Sequence, residues 1–91
     1  MKKELLNKIK GRMELLSREQ VGYLLNIHGL YITNDKEEVP YIPGMTLEEW
    51  TLLRIEKTTS EKDYPTVLEL IALIKKGLKF NELEDFCVSI H

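Results

Sequence analysis

Few side chains in this sequence could do chemistry. There are two histidines, His28 and His91, one cysteine, Cys87, and an adjacent acid pair, Glu48-Glu49, at a helix start. A Ser–His–Asp or Cys–His site needs a base within hydrogen-bond reach of its nucleophile, and two histidines leave little material for one. His28 has no cysteine, second histidine or carboxylate at a metal-ligand spacing nearby. Its place in the last turn of a helix, where a cation suits the helix dipole, points to a structural role. Cys87 falls on an apolar stripe and reads as a small core hydrophobe. A reactive thiol would need a neighbouring cation that the sequence does not supply. Glu48 and Glu49 sit where acids favour a helix N-terminus, which accounts for the pair without acid–base catalysis. The five glycines are scattered and form no phosphate-cradling loop. The expectation is a non-enzymatic protein with no catalytic residue, no metal site and no cofactor.

The elements that position these residues are short helices. The organising stretch is Pro65 to Gly77, PTVLELIALIKKG, in which only Glu69 is polar between Val67 and Ile74. A helix apolar on nearly every face needs neighbours on most sides. It is shorter than the roughly 20 residues that cross a bilayer. Lys75, Lys76 and Gly77 form a C-terminal signal, and Ser60, Asp63 or a Thr66–Glu69 box could cap the start. Residues 2–16 predict a first helix, with Leu5, Ile9, Met13 and Leu16 at helical spacing. Gly11 within it suggests a close backbone approach. Ser17 to Gln20 reads as a capping box, with Leu16 available to staple onto Val21. Gly29 reads as the left-handed C-terminal residue of that second helix. Leu30 to Thr33 and Val39 to Ile42 are β-prone around an Asn34-Asp35 turn, so residues 30–43 predict a loop or a short hairpin. Thr46 to Glu49 is a second capping box, opening a helix to about Lys57. Leu47, Trp50, Leu53 and Arg54 share one face of it, with Trp50 as a core anchor. Asn81, with Glu84, caps a last helix striped by Leu83, Phe86, Cys87 and Ile90. The fold expected is mostly α: one domain of four to five short helices around Val67–Ile74. Its core would contain Leu24, Trp50, Leu53, Leu70, Ile71, Ile74, Leu83 and Phe86.

Composition bounds the function. Ninety-one residues with 43% hydrophobic content suffice for one small domain with a thin stability margin. A single cysteine permits no internal disulfide, and MKKELLNKIKGR lacks a signal peptide's continuous apolar run. Both fit a cytoplasmic protein, and no membrane segment is expected. The net charge is −2, without the basic excess of strong nonspecific nucleic-acid binders. It is uneven, however. Residues 1–30 hold six basic side chains against three acidic, and the rest hold seven against twelve.

Two surfaces follow. The first is acidic and aromatic: Tyr31 and Tyr41 with Asp35, Glu37 and Glu38. It is partner-like, because aromatics are enriched at interface cores, although both tyrosines could instead cover the helices. The second is the basic first helix, with Lys2, Lys3, Lys8, Lys10 and Arg12. These residues read either as a solvated face or as an electrostatic footprint for phosphate or an acidic protein. The stretch LELIALIKKGLKFNELEDFCVSIH also resembles a helix-turn-helix, with Leu68–Lys76, a turn over 77–80 and a second helix from about Asn81. In that motif the second helix reads bases in the major groove. Here Glu82, Glu84 and Asp85 stand at its polar positions and would repel phosphate.

The function expected is therefore a small regulator that docks on a larger protein as an inhibitor or adaptor. Proteins of this size and style are often encoded by phages or mobile elements. The alternative is a nucleic-acid-binding transcriptional regulator, using the basic helix or the helix-turn-helix-like half. A homodimer is compatible with either.

Overall fold

The computed structural model describes residues 2–33 and 39–90. Asn34, Asp35, Glu37, Glu38, His91 and the side chain of Ile90 lie outside the described residues. Five α-helices appear in order: α1 (Lys2–Met13), α2 (Arg18–Ile27), α3 (Leu47–Thr58), α4 (Tyr64–Lys76) and α5 (Phe80–Ile90). A π-helical turn, His28–Ile32, continues α2, and a 3-10 turn, Glu61–Asp63, precedes α4. The described residues contain no strand. None of the described helices is long and apolar enough to cross a membrane.

The apolar run becomes α4, which buries Tyr64, Val67, Leu70, Ile71 and Ile74. It packs against α1, α2 and α5, as a helix apolar on several faces must. The core is completed by Ile9 and Met13 from α1, Val21, Leu24 and Ile27 from α2, and Leu83 and Cys87 from α5. Leu16 joins Val21 in this core. Gly77 ends α4 at φ 105°. Its amide donates to the Ile74 carbonyl at 3.0 Å, and Leu78 N–H reaches the Leu73 carbonyl at 3.2 Å. That is a Schellman motif, built on the residue type that takes positive φ at least cost.

Both predicted capping boxes form. The Gln20 amide donates to Ser17 Oγ at 3.2 Å, and Ser17 N–H donates to Gln20 Oε1 at 2.9 Å. Gln20 Nε2 also donates to the Ile74 carbonyl at 3.0 Å, so one side chain caps α2 and ties it to the end of α4. Thr46 and Glu49 repeat the reciprocal pair at 3.1 and 3.0 Å. Lys75 Nζ reaches the Leu15 carbonyl at 3.0 Å and fastens the α1–α2 connection.

Several expectations are corrected. Leu30–Ile32 is helical rather than extended: Ile32 is buried in the core, and the Thr33 amide donates to the His28 carbonyl at 2.9 Å, an i→i−5 bond. Tertiary burial outweighs β-propensity here. Gly29 therefore lies inside the π turn and not at a left-handed cap; positive φ occurs among the described glycines only at Gly44 and Gly77. No neighbour lies within 4 Å of where a Cβ at Gly11 would stand, so it marks no close approach. Asp63 occupies the position before α4 without a side-chain cap bond, and Ser60 Oγ donates to its carboxylate at 3.1 Å. The last helix starts at Phe80, not Asn81. Lys79 N–H donates to Glu82 Oε1 at 3.1 Å, half of a capping box whose first residue lacks a hydroxyl.

The buried face of α3 also differs. It is Thr51, Ile55 and Thr58, whereas Leu47, Trp50, Leu53 and Arg54 are only half-buried. Thr51 and Thr58 can be buried because each hydroxyl donates to the carbonyl four residues back, at 2.7 and 2.6 Å. Such back-bonding satisfies the hydroxyl locally. Phe86 is likewise half-buried, beside the core and not within it.

Candidate protein-interaction surface

Rotation of α3 onto its threonine face leaves large side chains on both flanks. On one flank, Trp50 Nε1 donates to the Val39 carbonyl at 2.8 Å, pinning the returning chain. Tyr41 meets the indole edge-on, with ring centroids 5.7 Å apart at 86°. The Arg54 guanidinium lies over the same ring at 5.3 Å, a cation–π distance. Tyr41 hydroxyl also bonds the Met45 carbonyl. The aromatic pair is thus ordered by the chain and still accessible: Tyr41 is 52% exposed and Ile42 beside it 55%. Tyrosine, tryptophan and arginine are the types that dominate binding energy at protein interfaces.

The other flank borders a groove of about 540 Å³ between α1 and α3. Met13, Met45, Leu52 and Leu53 supply its apolar surface, and Glu14, Glu48, Glu49 and Glu56 its acids; among the described residues Lys10 is the one cation that lines it. Hydrogen bonds from Thr46, backbone first and then hydroxyl, lower the pKa of the Glu49 carboxyl, and the Lys10 charge adds to this.

The remaining sequence-predicted residues are placed as follows. Tyr31 is half-buried against the core, and its hydroxyl donates to Glu84 at 2.8 Å, linking the π turn to α5. That bond raises the Tyr31 pKa. Tyr31 and Tyr41 therefore have separate partners, Glu84 and the Trp50 ring. Lys2, Lys3, Lys8, Lys10 and Arg12 are all exposed on α1. On α5 the exposed polar residues are Asn81, Glu82, Asp85 and Ser89, with Glu84 half-buried. The α4–turn–α5 hairpin thus exists, with acids on its second helix.

His28 is buried, and its Nε2 bonds the Thr59 hydroxyl. Burial, reinforced by the Arg54 charge, lowers its pKa to about 4. Its Nδ1 has no hydrogen-bond partner among the described residues, and an imidazolium would leave a second buried donor unpaired. The ring is therefore neutral at pH 7, and the expected cation at a helix end is not formed. Cys87 is buried, and burial raises its thiol pKa, the reverse of an activated nucleophile. No group of three or more metal-ligating side chains converges among the described residues.

Sequence reasoning missed Trp50 and Arg54 as surface residues, because their spacing imitates a core stripe. The signal that could have found them is the alternative stripe Thr51–Ile55–Thr58. Compared with protein-family models, with curated proteins and with solved structures, the chain matches none.

Proposed function

We propose that this protein is a non-enzymatic regulator that acts by docking on a larger protein, in the manner of an inhibitor or adaptor. The observation that supports this reading is the Tyr41–Trp50–Arg54 cluster. An exposed aromatic, a half-buried indole and a guanidinium are held in fixed geometry beside exposed Ile42. Ordering these side chains before binding lowers the entropy lost in the complex. The test is capture with tagged protein from host lysate, split into nuclease-treated and untreated halves. The expected result is a protein that survives nuclease treatment. Material that disappears with nuclease would contradict the reading.

A second reading, nucleic-acid binding through α1, draws on the exposure of Lys2, Lys3, Lys8 and Arg12 along one helix. It requires affinity that falls steeply with salt. The acids of α5 disfavour a helix-turn-helix mode of contact.

A further inference from the structure

The docking reading uses one flank of α3 and leaves the groove on the other unassigned. Met13 at its base is fully buried, but Met45, Leu52 and Leu53 are only half-buried. The groove therefore offers apolar surface that the chain's own core does not cover. Two of these four side chains are methionines, whose unbranched thioethers adapt to guests of different shape. Glu48, Leu52 and Glu56 follow one another four residues apart, so α3 presents an acid–leucine–acid row along the groove. Glu14 stands immediately after α1, the other helix of the groove. Lys10 acts on Glu49, which is already held by Thr46. The side-chain carboxylates of Glu14, Glu48 and Glu56 make no hydrogen bond or ion pair among the described residues.

We infer that this groove binds a cationic amphipathic helix of a protein partner, with leucine-like side chains on Met45, Leu52 and Leu53 above the Met13 floor and lysines or arginines against Glu14, Glu48 and Glu56. The inference rests on the protein-docking reading and gives that partner a chemistry. It is the helix-in-groove mode of recognition, and the groove accepts a few side chains from one helical face. The acidic walls exclude phosphate and anionic lipid as occupants by like-charge repulsion.

The probe is a synthetic peptide of leucine and lysine, patterned as an amphipathic helix of roughly four turns. A control keeps the leucines and replaces every lysine with glutamate. Each is titrated into the full chain at low salt, read by anisotropy and by the methyl NMR signals of Met13 and Met45. The leucine–lysine peptide is expected to bind saturably and shift both methionine signals, while the glutamate control does neither. E48Q/E56Q changes only surface charge; its fold is checked by circular dichroism. It should weaken binding by about fivefold or more, the sum of two exposed ion pairs. Equal binding by E48Q/E56Q, binding that leaves both methionine signals unmoved, or no binding would overturn the groove assignment. The lysate capture separates this from the parent reading. A nuclease-resistant protein captured equally by E48Q/E56Q, with no peptide binding, removes the groove and leaves docking intact. Peptide bound in the groove with no protein captured supports the groove and removes docking through the aromatic cluster.

Discussion

Helices α3 and α4 are nearly equal in length and use their apolar residues in opposite ways. In α4 the large aliphatics are the buried ones: Leu70, Ile71 and Ile74 are within 2% of full burial. In α3 the buried positions are two threonines and one isoleucine, and Trp50, Leu52 and Leu53 are left partly in water. Side chains that the core does not use, on a helix anchored by small satisfied residues, are free to meet another molecule. The difference divides labour: α4 holds the fold and α3 presents surfaces, an aromatic–arginine cluster on one flank and an acid-walled groove on the other.

The largest effect should come from the core side. Ile71→Ala is expected to cost about 2–5 kcal/mol in denaturant unfolding, from lost burial plus a cavity, whereas Leu53→Ala should cost less, about 1 kcal/mol, because part of that side chain is already hydrated. Equal costs would erase the distinction between the two helices.

His28 gives the next effect, where the π turn meets the segment after α3. Its folded pKa of about 4 lies below the unfolded value of 6.5. Between these values the unfolded chain takes up a proton that the folded chain refuses, so stability falls as pH falls. The full contribution is present above the unfolded pKa. Roughly 2 kcal/mol should be lost between about pH 7 and about pH 5, and His28→Gln should flatten that slope. An equally steep slope in the variant would assign the acid sensitivity to other groups.

The smallest effect concerns how α3 is started. Thr46→Ala removes the acceptor for the Glu49 amide and should cost about 1 kcal/mol, with the Met45 and Glu49 side of the groove loosened. No change in the unfolding midpoint would mean that the box contributes nothing to α3.

The local chemistry of the fold was legible where it depends on residues close in sequence. Ser17–Gln20, Thr46–Glu49 and Gly77 satisfy helix ends with atoms a few positions away, so their types and spacing suffice. The apolar density of Val67–Ile74 likewise requires burial whatever surrounds it. The π turn was not legible, because Leu30–Ile32 becomes helical through Ile32's burial and Tyr31's bond to Glu84, more than fifty residues away. The face of α3 was misjudged because a threonine bonded to its own helix is effectively apolar, which a count of hydrophobic residues does not register. Of the proposed interaction surface, residue type alone singles out Tyr41. Trp50 and Arg54 were assigned to the core stripe, since only the rotation of α3 turns them outward.

The most direct test of the proposed docking is nuclease-resistant capture from host lysate by Tyr41→Ala, a change at an exposed residue of the aromatic cluster. The account predicts a folded variant, with an unfolding midpoint near that of the parent chain, that retains clearly less partner. Undiminished capture by a folded Tyr41→Ala protein would contradict it.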